Sequence, residues 1–284
     1  MSNAIARNIK LTILGSGTSA GIPIIGCDCD VCTSDDPRDK RLRPSACLEY
    51  TDASGQQRVI LIDTSPDLRQ QALRYKLCRC DGIVYTHNHV DHTFGLDEVR
   101  RFNALMHQPI TVYAETHTFE HLYRVYRHVF EKEKNVNDSF VATLIAEVIE
   151  PDRPFDLFDL RFTPLRFFHG RLPILGFRIE ALDGQGQIAE VQPLPLPLAY
   201  CTDVSSVPTE TWPKLTGLAT LILDMLRYRK HPTHMSVDQA IEAATNIEAQ
   251  QTYFIHMTHD ICHADLDEKL PDRMALSYDG LVIA

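Results

Sequence analysis

The sequence predicts a layered α/β architecture in a single domain, residues 1–284, on three observations. Apolar runs from Ala46 to Tyr50 and from Val59 to Asp63 flank the turn signal Asp52-Ala53-Ser54-Gly55, which reads as an antiparallel hairpin. Strand-type runs alternate with helical spacing both in the middle and in the last third of the chain. No linker interrupts them: residues 183–197, with Gly184, Gly186 and three prolines, form an irregular excursion, and strand signal resumes at once in Leu198-Ala199-Tyr200-Cys201.

In chain order, Lys10 to Leu14 reads as a first strand, punctuated by Gly15-Ser16-Gly17-Thr18-Ser19-Ala20-Gly21-Ile22-Pro23. The third glycine comes one residue late for a dinucleotide fingerprint and no helical pattern follows, so this is read as a turn near the site. A charged loop runs from Asp35 to Arg43, ahead of the hairpin. Pro66 to Tyr75 is predicted helical, with Pro in the first turn and Leu68, Ala72 and Leu73 on one face. A strand at Cys80 to Tyr85 is followed by a helix over Asp97 to Leu105, a strand at Ile110 to Tyr113 and a helix over Thr116 to Phe130. His117, His121 and His128 lie on that last helix with no carboxylate or cysteine at ligand spacing after them, and are read as surface residues. Beyond a charged loop through Lys134-Asn135, strands are predicted at Thr143 to Ile149, Leu160 to Phe168, Leu175 to Ala181, Ala219 to Leu223 and Thr252 to Ile255. Helices are predicted at Val237 to Asn246 and Ala264 to Leu270.

Composition bounds the function. With 44% hydrophobic and 23% charged residues the chain is an ordinary soluble type, and no apolar run approaches the ~18 residues of a membrane span. Its start lacks the apolar core of a secretory signal, which places the expectation in the cytoplasm. A net charge of −10 argues against duplex nucleic acid as a partner and leaves room for a small anion drawn to a metal. Of eight cysteines, Cys27, Cys29 and Cys32 cluster; Cys47, Cys78, Cys80, Cys201 and Cys262 read as small buried hydrophobes.

The densest chemistry is Thr86-His87-Asn88-His89-Val90-Asp91-His92, three imidazoles and a carboxylate within six positions at a strand end. Imidazole suits Zn, Mn or Fe, and a carboxylate among histidines can serve a second ion. Later strand ends answer it with His169, Asp203 and His256, each directly after an apolar run. The C-x-C-x2-C loop leaves a tetrahedral zinc one ligand short, and His259, three residues beyond His256, is positioned to complete a structural Cys3His site.

With these residues in place the chain resembles the metallo-β-lactamase superfamily, whose signature is matched by His87-x-His89-x-Asp91-His92, with Asp63 at the upstream acidic position. The resemblance implies an αββα four-layer sandwich and two divalent metals at one end. One ion would take His87, His89 and His169, the other Asp91, His92 and His256; Asp203 would bridge them and Asp63 would hold the loop. Asp91 and Asp203 are thereby also expected to be catalytic. The cysteine loop and Gly15-Ser16-Gly17-Thr18-Ser19 resemble the phosphoribosyl cyclic phosphodiesterases of the carbon–phosphorus lyase pathway. That likeness implies a small phosphodiester substrate, attack by metal-activated water, a homodimer, and a histidine that protonates the leaving alkoxide. His234 in His231-Pro232-Thr233-His234-Met235-Ser236 is the best match, with His231 competing; Arg100 or Arg101 could meet phosphate charge. Three alternatives stay open: a glyoxalase-type thioester hydrolase, a tRNA 3′-processing-like nuclease, and a ligand-binding relative of the pyrroloquinoline quinone pathway protein with a similar cysteine loop.

Overall fold

The structure, a computed structural model, describes residues 3, 5–131, 133 and 140–284. Its first sheet is built from β1 (Arg7–Gly15), β2 (Ser45–Thr51), β3 (Gln57–Ile62), β4 (Gly82–Val84), β5 (Ile110–Ala114) and β6 (Leu144–Val148). The second contains β7 (Phe155–Leu157), β8 (Leu160–His169), β9 (Leu172–Ala181), β10 (Leu198–Cys201), β11 (Thr220–Asp224), β12 (Gln251–Ile255) and β13 (Met274–Leu276), after which β14 (Val282–Ile283) returns to the edge of the first. The sheet orders are β14-β1-β2-β3-β4-β5-β6 and β13-β12-β11-β10-β9-β8-β7. The predicted hairpin is β2–β3, antiparallel with Ala46 opposite Ile62, while β3 to β6 and β10 to β13 run parallel.

Strand alternation explains the layers. Ile60 and Ile62 point between the sheets and pack with Phe177, Ile179, Ile222 and Ile255. Leu61 between them points outward, where Leu68, Phe102, Phe119 and Leu122 of the helices cover Ile83 and Val112. On the other side Val237, Ala240 and Ala244 of the helix Val237–Ile247 cover Leu221 and Leu223. The order is helix, sheet, sheet, helix, the four-layer αββα sandwich.

Several elements depart from expectation. The helix predicted over Asp97 to Leu105 opens as a 3-10 turn, Leu96–Val99, and becomes α-helical only over Arg100–Met106. Gly95 before it is pressed against the chain: a Cβ there would lie 2.1 Å from the Ser65 carbonyl. The helix over Thr116 to Phe130 breaks at Tyr126, a buried side chain whose hydroxyl donates to the Thr93 carbonyl at 3.0 Å. The last helix is shorter, His263–Asp267, and the short strands β7, β13 and β14 carried too little pattern to predict. The expected loop at Lys134-Asn135 falls outside the described residues. Cys78 is exposed and Cys262 half-buried, whereas Cys47, Cys80 and Cys201 are buried as expected.

The Gly15-Ser16-Gly17 turn is a tie inside the protein. Ser16 is fully buried; its N–H and hydroxyl both donate to Asp279 Oδ1 at 2.9 Å, and its carbonyl accepts the N–H groups of His256 and Met257. Asp279 Oδ2 accepts from Leu42 N at 2.8 Å. Burial pushes the Asp279 carboxyl up to about 6, against the pull of these donors. The folded state thus holds this proton more tightly than the unfolded chain. The stabilisation is complete below the ordinary carboxylate pKa and lost as pH rises through about 6. Asp279→Asn should remove that slope: by urea unfolding, wild type loses about 2–3 kcal/mol relative to the variant between about pH 4 and pH 6.5.

Candidate metal centre

Six strand-end residues converge at one end of the sandwich. Asp63 follows β3, His87 follows β4 and His169 ends β8; Asp203 follows β10, Asp224 ends β11 and His256 follows β12. His89 begins the short helix Val90–Thr93, which carries Asp91 and His92. Ligands outside the carboxyl ends of parallel strands are the usual arrangement of α/β sheets. Asp63, Asp203 and His256 hold left-handed backbone, with φ of 60°, 60° and 71°. Non-glycine residues pay on the order of 1–3 kcal/mol for such conformations, which persist where the surroundings enforce them.

The hydrogen bonds fix which imidazole nitrogens face the cluster. Asp63 accepts the backbone N–H of Thr86 at 2.9 Å, its hydroxyl at 2.8 Å and His92 Nδ1 at 2.7 Å. Because the Thr86 proton goes to Asp63, His87 Nδ1 is the donor in its 3.0 Å contact with Thr86 Oγ1. His169 Nδ1 donates to the Thr233 carbonyl at 2.7 Å. Each ring is left with Nε2 as its lone-pair nitrogen, the device that orients metal-binding histidines.

Those nitrogens meet carboxylate oxygens. Asp203 Oδ2 lies 3.1 Å from His92 Nε2, and Oδ1 lies 3.3 Å from His256 Nε2 and 4.0 Å from His87 Nε2. Asp91 Oδ2 is 3.6 Å from both His92 Nε2 and His256 Nε2. His87, His92, Asp203 and His256 are buried, and Nε2 of His87, His92 and His256 has no hydrogen-bond partner. Acceptors facing acceptors away from water need a cation between them. Burial pushes His87 well below the ordinary imidazole pKa, the neutral form a metal requires. At His92 burial acts the same way, but Asp203, Asp91 and Asp63 outweigh it and draw a proton on. A metal ion would compete with that proton. The donor atoms of His87, His89, His169 and Asp203, and those of Asp91, His92, Asp203 and His256, lie within 4.8 Å of one another in two groups that share Asp203.

His234 packs beside this cluster. Its ring centroid is 4.5 Å from that of His169 and 4.7 Å from that of His256, and Nδ1 contacts Asp224 Oδ1 at 2.9 Å. Asp224 Oδ2 accepts the N–H of Met235 at 2.9 Å. Burial lowers the His234 pKa, yet the Asp224 charge and hydrogen bond outweigh it, and the net direction is up. His231 is set back, its ring 5.4 Å from that of His234 and its Nδ1 engaged by Thr233. Asp224 was missed in the sequence, although it follows Leu221-Ile222-Leu223 as the other ligand-type residues follow their strands.

The cysteine loop meets its predicted partner: Cys27, Cys29 and Cys32 Sγ lie 3.2, 3.4 and 3.6 Å from His259 Nδ1. Hydrogen bonding from the Cys32 backbone, the leading cause, draws the Cys29 thiol down to about 7. The segment read as a charged loop supplies the clamp. Arg41, with no exposed side chain, donates to the carbonyls of Thr258 at 2.9 Å and Ile261 at 2.8 Å, and pairs with Asp39 at 3.1 Å. Asp39 also accepts His263 N. Elsewhere, Arg100 pairs with Asp97 at 3.2 Å and Arg101 lines an apolar groove with Leu73 and Leu105. His128 is 3.5 Å from Asp97, while His117 and His121 line a cleft beside Asn88, each with a buried Nε2 that lacks a partner.

Residues 58–257 match the beta-lactamase superfamily domain. The chain belongs to the metallo-β-lactamase superfamily. Among solved structures it is similar to a diphosphatase from the PhnP family, at 37% identity over 98% of this chain and 97% of that one, with a TM-score of 0.84. The fold is also that of Zn(2+)-bound PqqB from Methylobacterium extorquens, at 20% identity, with 97% and 99% of the two chains covered and a TM-score of 0.72. Among curated proteins, an octanoyltransferase of Porphyromonas gingivalis is 37% identical over 277 residues, 96% of this chain and 51% of that protein. The chain spans about half the length of the curated relatives it matches most strongly. No helix among the described residues is long and apolar enough to cross a membrane.

Asp63→Ala should weaken divalent-ion binding at the superfamily site by about 10–100-fold, because it frees both the His92 ring and the Thr86 donors. Competition against a fluorescent chelator measures it, with the cysteine site as internal control.

Proposed function

We propose that this protein is a metal-dependent hydrolase of small phosphodiesters, with His87, His89 and His169 on one ion, Asp91, His92 and His256 on a second, and Asp203 shared. The paired donor groups and their unpartnered Nε2 atoms support this assignment. Ions held there would lower the pKa of water toward neutrality and neutralise charge on the attacked phosphoryl oxygen. Cys27, Cys29, Cys32 and His259 suit a structural zinc that ties the N-terminal loop to the segment after His256.

The observation that carries the phosphodiester reading is the His234–Asp224 pair packed on His256. Breaking a P–O bond to an alcohol requires a proton on the departing oxygen. His234, its Nδ1 proton held by Asp224, would give that proton from Nε2, and the Asp224 charge favours the protonated ring. Water supplies the oxygen of the new P–O bond. The likeness to the PhnP-family diphosphatase, which covers nearly both chains, supports hydrolysis at phosphorus.

His234→Ala should slow an alkyl phosphodiester by about 10²–10⁴-fold and bis(p-nitrophenyl) phosphate far less, since p-nitrophenolate leaves without a proton. Equal losses on both substrates would remove the acid role. A glutathione thioester in the same panel tests the carbonyl alternative. Metal analysis should find three ions per chain, falling to two in Cys29→Ser with diester hydrolysis retained in the protein that stays folded; loss of a dinuclear-site ion instead would overturn the assignment.

A further inference from the structure

Of the residues whose donor atoms form the two groups that share Asp203, His89 alone is exposed; His87, Asp91, His92, His169, Asp203 and His256 are buried. The centre therefore meets solvent at His89. From there an exposed apolar path follows: Val90 and Phe94, at either end of the short helix that carries Asp91 and His92, are 49% and 45% exposed. The Phe94 ring stacks on that of His121, with centroids 6.3 Å apart and planes inclined by 26°. His121 lies one turn beyond His117 on the helix Thr116–Val125, and the two imidazoles line a cleft of about 450 Å³ with Asn88, Leu172 and Pro173. Asn88 stands between His87 and His89 in the chain, and Leu172 pairs with His169 across the β8–β9 turn. Neighbours of three metal-ligand candidates thus form one wall of the cleft.

The walls select the occupant. The lining holds one acid and one base, Glu120 and Arg124, so it favours an uncharged group over a second phosphate. Leu172 and Pro173 offer apolar surface to a flat ring, and the volume falls within the ~300–1,000 Å³ of small-molecule sites. Nε2 of His117 and Nε2 of His121 are buried without a hydrogen-bond partner in the protein, a cost that a ligand with matching polar edges recovers. Burial, helped by the Arg124 charge, lowers the His121 pKa, which leaves that ring neutral and able to donate from one nitrogen and accept at the other. His234 packs instead on His169 and His256, and among the described residues no ring contact or hydrogen bond joins it to Asn88, His117 or His121. A diester has two organic groups, and the two places suit one each.

We propose that this cleft binds the organic group that stays on phosphorus while the departing alkoxide leaves beside His234, and that its preferred occupant is a flat, uncharged, hydrogen-bonding ring of the nucleoside kind. His117 and His121 then set specificity. This deepens the phosphodiester reading above and rests on it.

Thymidine 5′-monophosphate and methyl phosphate carry the same phosphate charge and differ only in that group. Their affinities for the metal-loaded protein, measured by calorimetry, therefore isolate the cleft. Wild type should bind the thymidine ester at least about tenfold more tightly, the effect of one recovered hydrogen bond with burial of the ring. In His117→Ala/His121→Ala that ratio should fall toward one, with metal content and circular dichroism confirming a folded, loaded protein. Each single substitution should lower it partway, and the singles carry the comparison should the double variant fail to fold. A wild-type ratio near one, or a ratio that survives the substitutions, overturns the cleft assignment. Bis(p-nitrophenyl) phosphate turnover is measured in parallel: its absence from loaded wild type would count against the hydrolase reading alone, since the ratio of the two affinities is an equilibrium quantity.

Discussion

The site depends on one buried carboxylate. Asp203, at 2% exposure, faces the Nε2 atoms of His87, His92 and His256 within 4.0 Å, and its Oδ2 also accepts the Thr202 hydroxyl at 2.7 Å. An ionised carboxylate in that position is costly unless positive charge accompanies it. A proton on His92 is one way to provide that charge, and the nearby Asp203, Asp91 and Asp63 carboxylates favour it against burial. Divalent ions are the other, and the two uses compete for one lone pair. The surrounding Nδ1 contacts with Asp63, Thr86 and Thr233 keep the rings aimed inward in both states.

Such aiming has to be enforced from outside the cluster. His256 follows β12 in left-handed backbone, held by its N–H to the Ser16 carbonyl, and Ser16 is held in turn by Asp279. Asp63 occupies the same backbone region, its N–H bonded to the Val84 carbonyl and its own carbonyl accepting from Ser45 Oγ. Strain at His256 and Asp63 is therefore offset by hydrogen bonds to the first sheet or the chain ends. Arg41 does the equivalent work for His259, drawing the carbonyls of Thr258 and Ile261 onto one buried guanidinium. Removing such an ion while leaving Asp39 in place would strand a buried charge.

How much of this could be read in advance follows from the range of the interactions. Strands with a period of two and the helix at Val237 were legible because burial acts on each residue locally. The dinuclear candidates were legible because each lies directly after an apolar run, and Cys27, Cys29 and Cys32 because their spacing is compact. Asp224 obeyed the same strand-end rule but, unlike Asp203, matched no ligand position of the superfamily pattern, and its partner His234 lies 10 residues away. Arg41, Ser16 and Asp279 were illegible for another reason: their partners lie 217, 263 and 263 residues away. A charged loop and a glycine-rich turn look solvent-facing until the fold brings those partners to them.

Charge distribution carries the same lesson over a longer distance. A net charge of −10 opposes polyanions only if the charge is spread evenly, and here it is not. Many surface carboxylates are neutralised locally by a neighbouring arginine, as in Arg161 with Asp156 or Arg178 with Glu180, so they contribute little field beyond a Debye length of about 8–10 Å. At the centre, bound ions would offset Asp91 and Asp203, leaving the imidazoles neutral. Arg171, Arg229 and Lys230 are exposed and, among the described residues, have no carboxylate at ion-pairing distance, so their charge is not cancelled locally. An acidic protein can carry locally positive surface in this way.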